Sequence, residues 1–247
     1  MAFEQPHRKF ARYPAQLPLI YDPEDEAAHR VGPGWTRELS PEGACLELGE
    51  RLKCRETLHL KLRTTHGSIE TDAKVIWVGE PASPTDGIPH GVIFSQLSPE
   101  DTRILLSQLP PVFQGTFPKV RLPVNLGVRC RPKRSHREPL LGHVGNMSRG
   151  GMLLYSEEAM AIGTEVETIL QTATGPIPVD GKIIWANLPG SPQPLFPPPA
   201  YAIAGEIVWV DLPARSTPDR PILHGVQFTG LDWSVSLQLG RLLAQQA

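Results

Sequence analysis

Cysteine is scarce in this chain and badly placed for chemistry. Cys45, Cys54 and Cys130 form no CxxC pair and have no histidine at metal-ligand spacing, so they read as free packing thiols without a disulfide framework or a metal site. Net charge is scarce too. With 24 basic and 26 acidic residues the formal charge is −2, which supplies no field to gather the protein onto nucleic acid or an anionic membrane. Neither partner is expected, whereas a small anion held by a few local arginines is compatible. No apolar run approaches the ~20 residues of a spanning helix, and the opening MAFEQPHRKFARYPAQ has no signal-peptide core. A cytoplasmic protein without membrane insertion is expected. Nucleophile elbows, Walker glycine loops and matched carboxylate pairs are missing as well, so no catalytic residue, cofactor or metal is assigned and an enzyme is not expected.

What is present is a repeat. E38-L-S-P-E-G43 and N146-M-S-R-G-G151 share the spacing acid-or-amide, x, Ser, x, x, Gly, with Ser40 and Ser148 lying 108 positions apart. V75-I-W77 and I183-I-W185 keep that separation. H90-G-V-I-F94 recurs as H224-G-V-Q-F228, 134 positions on, so the second copy has gained 26 residues between its tryptophan and its His-Gly. A period near half of 247 residues predicts two domains. The expected division is 1–110, a stiff Pro-rich connection at 111–117, and 118–247 with an insertion at about 187–212.

With 27 prolines, 22 glycines and little helical periodicity, both copies read as short strands joined by tight turns. The first copy predicts strands near Ala15–Tyr21, Gly34–Leu39, Gly43–Leu48, Thr57–Leu62, Ser68–Val78 and Gly91–Leu97. Leu58, Leu60 and Leu62 would share one face. Ser98 then caps a helix to about Leu109, with Leu105, Leu106 and Leu109 as its apolar stripe. The second copy repeats the order near Leu122–Arg129, Leu140–Asn146, Met152–Ser156, Glu165–Thr172, Ile177–Ala186 and Gly225–Thr229, with a last helix from about Ser234 to Gln245. The run I203-A-G-E-I-V-W-V210 predicts an added hairpin arm inside the insertion, either a surface decoration or a partner-binding element.

Arg8 and Arg12 form an RxxxR pair just before the first strand. A guanidinium fork bonds a phosphate, or the O6/N7 edge of guanine, through two parallel donors. The guanine N1–H and N2–H then need an acceptor, which Asn146 can offer, with Ser148 two residues along on the same face. Gly43 and Gly151 would permit a turn and close ligand approach. The basic loop R129-C-R-P-K-R-S-H-R137 carries five Lys or Arg in nine residues and reads as a solvated turn, with attraction of a phosphate-bearing ligand as the alternative. His90 and His224, each before a glycine, read as structural.

The order RxxxR, then xxSxxG, then a V-I-W strand, then HGVxF and a closing helix, resembles the PilZ domain over nearly the whole chain. That resemblance implies an all-β fold with short C-terminal helices: two tandem six-stranded PilZ-like β-barrels, the second with an inserted hairpin. It also implies a receptor for the bacterial second messenger cyclic di-GMP, bound by Arg8, Arg12, Glu38, Ser40 and Gly43 in the first domain and by Arg121, Asn146, Ser148 and Gly151 in the second. Each copy departs from the family pattern once. Glu38 stands where the family has Asp or Asn, and can pair with Arg8, Arg12 or Arg37 instead of ligand; Phe117 stands where the first copy has Arg8, with Lys119 nearby. The arginines of one domain could therefore serve the NxSxxG surface of another, within the chain or across a homodimer. Two functions follow as expectations. One is a receptor relaying messenger level to an unidentified protein partner by ordering its arginine segment. The other is a ligand-independent adaptor for a motility, secretion or polysaccharide-export machine.

Overall fold

Period-two alternation becomes strand pairing throughout the computed structural model, which describes residues 10–24, 30–83, 86–108, 120–187, 201–203, 206–208 and 222–245. The chain divides into two compact units, Met1–Val120 with Leu237–Ala247, and Arg121–Ser236. The first contains β1 (Tyr13–Pro14), β2 (Pro18–Pro23), β3 (Gly32–Ser40), β4 (Gly43–Leu48), β5 (Thr57–Thr64), β6 (Gly67–Val78), β7 (Ile88–Phe94) and α1 (Pro99–Ser107). The sheet runs β3-β2-β5-β6-β7-β4 and closes by pairing β4 with β3, while β1 lies along β3. Leu58, Leu60 and Leu62 all point inward, as their alternation predicts. Residues 15–17 between β1 and β2 pair with β3 by other means. Thr36 Oγ1 accepts from Leu17 N at 2.9 Å, and Thr36 N donates to Leu17 O at 2.9 Å. Pro14 and Pro18, which lack donors, bracket this break in the ladder.

The second unit contains β8 (Leu122–Pro132), β9 (Leu140–Ser148), β10 (Gly151–Ser156), β11 (Glu165–Thr172), β12 (Gly175–Ala186), the two-stranded β13 (Tyr201–Ile203) and β14 (Glu206–Val208), and β15 (Ile222–Phe228). β10-β15-β12-β11-β8-β9 form a closed barrel. Both units are thus six-stranded antiparallel barrels. The hairpin of the insertion turns inside the run at 203–210, between Ile203 and Glu206; Trp209 and the 111–117 connection lie outside the described residues.

In α1, Ser98 Oγ accepts from Asp101 N at 3.0 Å, the predicted cap. Leu105 is fully buried but Leu106 is exposed; the residue on the other side of Leu105, Ile104, packs against the same core. The last helix, α2 (Trp233–Gln245), starts in the second unit, and its residues from Leu237 onward belong to the first. There Gly240 lies flat on Trp35: a Cβ at 240 would come 3.0 Å from Trp35 Nε1.

The repeated His-Gly and V-I-W signatures are one packing device. Trp77 pairs with Gly91 and Trp185 with Gly225 across a strand pair, and a Cβ on either glycine would fall inside the indole, at 1.8 and 1.9 Å. The adjoining histidines are fully buried. His90 Nε2 accepts from Leu52 N at 3.1 Å and His224 Nε2 from Met160 N at 3.0 Å, each tying the loop that follows the third barrel strand. Both are structural, as expected.

Candidate functional site

The site is built on a β-bulge. In β3 the register against β4 shifts between Thr36 and Glu38, and in the β9–β10 pair it shifts between Leu153 and Leu154, where Gly145 is passed over. Arg37 and Gly145 hold equivalent positions, and the extra residue re-aims the one that follows. That residue is Glu38 in one barrel and Asn146 in the other. The strand that brings the arginine is placed by equally similar pairing: Tyr13 opposes Leu39 and Pro14 opposes Glu38, while Leu122 opposes Met147 and Pro123 opposes Asn146. Arg12 and Arg121 therefore arrive at the same place on their barrels.

Their partners differ in chemistry. Arg12 Nη1 lies 3.9 Å from Glu38 Oε2, with the glutamate side chain 40% exposed. Arg121 Nη1 donates to Asn146 Oδ1 at 3.2 Å, and Asn146 is buried. The first barrel thus sets its arginine against a carboxylate where the second sets its arginine against an uncharged amide. Of the sequence-predicted residues, Arg12 is brought to Glu38 and Arg121 to Asn146; Arg8, Phe117 and Lys119 lie outside the described residues.

Ser40 and Ser148 point into the turn. Both are buried, and Oγ donates to the carbonyl of Gly43 at 3.0 Å and of Gly151 at 3.4 Å. Ser148 Oγ also accepts from Gly150 N at 3.3 Å. Thr64 makes the same bond to Gly67 O in the β5–β6 hairpin, at 2.9 Å. Hydroxyl-x-x-Gly is in part a turn device of this fold. The motif glycines are constrained by the neighbouring strand: a Cβ on Gly43 would sit 2.2 Å from Val92 O, and one on Gly151 would sit 2.3 Å from Val226 O. The sequence assigned these glycines to ligand approach; the approach that the structure displays is of one strand to another.

Around the site, Cys45 opposes Glu38, and burial, followed by the Glu38 charge, pushes its thiol pKa up. Burial pushes Cys130 up to about 12. Neither is a ready thiolate. Within the basic loop, Arg131 pairs with Glu167 at 2.6 Å and Lys133 with Asp180 at 2.7 Å, so part of its charge is balanced on the barrel wall. Among the described residues no group of three His, Cys, Asp or Glu could hold a metal, and no helix is long and apolar enough to cross a membrane. Sequence reasoning missed one contact. Arg149, in the turn between Ser148 and Gly150, lies over the ring of Trp233, 5.5 Å from its centroid. No local spacing signals a pair 84 residues apart.

The family model of the PilZ domain matches the chain twice, over residues 6–109 and 117–191. No curated protein matches it. Among solved structures, the PilZ domain of YcgR from Escherichia coli with c-di-GMP is similar at 16% identity and TM-score 0.36, covering 42% of this chain and 88% of that one. The Bacillus subtilis inhibitor of motility, MotI/DgrA, is similar at 10% identity and TM-score 0.32, covering 95% of this chain and 99% of that one. YcgR from Escherichia coli in complex with c-di-GMP is similar at 12% identity and TM-score 0.34, covering 92% and 82%. Overlaps this loose carry no weight beside the two matches of the family model.

Proposed function

Because the chain belongs to the PilZ domain family, we propose that it is a cyclic di-GMP receptor whose second barrel is the better binding unit and which relays occupancy to a protein partner. The observation that carries the reading is the Arg121–Asn146 pair, at 3.2 Å, on the bulge that both barrels share. Asn146 Oδ1 is an acceptor suited to guanine N1–H and N2–H, and Arg121 offers the fork for guanine O6/N7 or a phosphate. Ligand competes there with an uncharged amide for the guanidinium. In the first barrel it must part Arg12 from Glu38, a charged partner. Ser148 and Gly151 contribute by holding the turn. The function is binding, with no catalytic step. A relay by ordering of the segment from Arg8 to Arg12 onto ligand would operate only where the first barrel is also occupied; β1, immediately after Arg12, delivers that segment to the Glu38 side of its barrel.

Calorimetric titration of cyclic di-GMP into the full chain tests this. Micromolar or tighter binding is expected, weakened at least ~10-fold by Asn146→Ala or Arg121→Ala, since a hydrogen bond to a charged group contributes ~1.5–3 kcal/mol. Absence of heat up to several hundred micromolar would overturn it. The Arg12–Glu38 ion pair favours a second reading for the first barrel, a surface for protein contact that works without ligand. Under that reading, partner binding survives Glu38→Asn unchanged by cyclic di-GMP.

A further inference from the structure

We propose that Arg149 is a ligand-contacting residue of the second barrel, and that its contact with Trp233 couples occupancy to the first turn of α2. The proposal rests on the functional reading above and adds the residue pair through which the site is read out.

Arg149 is fixed in place by the motif. It follows Ser148, whose hydroxyl pins the turn to Gly150 and Gly151, and it is half-buried. Its guanidinium covers the face of Trp233 at 5.5 Å. Trp233 is the first residue of α2, and the turn it opens is capped by Asp232, whose Oδ1 accepts from Val235 N at 2.8 Å. The indole Nε1 is buried without a hydrogen-bond partner among the described residues, so the ring is held by packing and by the cation on its face. A guanidinium gains more from charge-assisted, bidentate bonds to a phosphate than from an indole face. A phosphate-bearing ligand on Asn146 and Arg121 would therefore draw Arg149 off the ring.

The repeat supplies a second, independent observation. By the spacings that align the two copies, the position of Arg149 is Pro41 in the first barrel, and that of Trp233 is Pro99. Both members of the contact are replaced together. The two positions differ together between the copies, as the halves of one contact would.

Cyclic di-GMP binding and tryptophan emission of the full chain are measured for the parent protein and for Arg149→Ala, Arg149→Lys and Trp233→Leu. Expected are a loss of affinity of at least ~10-fold in Arg149→Ala and a smaller loss in Arg149→Lys, which keeps charge but not the fork. Trp233→Leu should gain roughly 3-fold, because the competing cation–π contact is gone. Ligand should also shift an emission component that is present in the parent and absent from both Arg149→Ala and Trp233→Leu. Opposite signs for the two residues separate coupling from damage to the fold, and urea midpoints of the variants provide the control. Unchanged affinity in both Arg149→Ala and Trp233→Leu, with parent binding intact, would overturn the coupling alone. Equal losses in both, with lowered urea midpoints, would mark the pair as structural and overturn it too. No binding by the parent would overturn both the functional reading and the coupling.

Discussion

Gly151 shows how a motif residue can matter to the fold itself. Its missing Cβ is the space taken by Val226 O, so Gly151→Ala must push β10 from β15. The expected cost is ~1–3 kcal/mol or more, read as a lowered urea midpoint before any ligand is added; an unchanged midpoint would show the strands can yield. The buried histidines make a pH prediction. Burial lowers the pKa of His224 from 6.5 to about 4, and burial lowers that of His90. In the folded state both stay neutral where the unfolded chain takes up protons, so their contribution is present above pH ~6.5 and is lost as pH falls through the folded values. Each histidine adds a slope of up to ~1.4 kcal/mol per pH unit within that window. Urea midpoints measured from pH 7 to pH 4.5 should fall accordingly, and His224→Leu should flatten the curve while lowering stability at pH 7.

At the scale of elements, caps and close approaches carry the predictions. Ser98→Ala removes the acceptor for Asp101 N and should cost ~1 kcal/mol. Gly240→Leu should cost more, ~1–3 kcal/mol, because α2 lies against Trp35 with no room for a side chain. Thermal unfolding of the two variants checks the order. The ends of these elements were less legible than their existence. Alternation in T57-L-H-L-K-L62 announces β5 because period two is a local property. By contrast β7 begins at Ile88, three residues before the Gly91 expected from sequence, because Ile88 pairs with Leu48 on a strand far away in the chain. The bulges at Arg37 and Gly145 left no signature either, since an extra residue is defined only against a partner strand.

For the whole molecule, the two sites make a prediction about ligand number. Glu38→Asn gives the first barrel the amide of the second and removes the charge that holds Arg12 at 3.9 Å. Under the functional reading, titration of this variant should double the cyclic di-GMP bound per chain relative to the parent protein; an unchanged ratio would place the first barrel's defect elsewhere. The sequence by itself determined the tandem repeat, the all-β class, the inward faces of strands such as β5, and the pairing of an arginine segment with an xxSxxG segment in each copy. All of these are written in spacing along the chain. Only the tertiary structure decided that Ser40 and Ser148 turn inward, that Gly43 and Gly151 answer to a neighbouring carbonyl, that Arg12 meets a carboxylate while Arg121 meets an amide, and that Arg149 reaches Trp233. Each of those depends on strand register or on a fold-back across tens of residues. A one-residue slip in register would send every side chain of a strand to the opposite face, so contacts of this kind become definite only when the barrel closes.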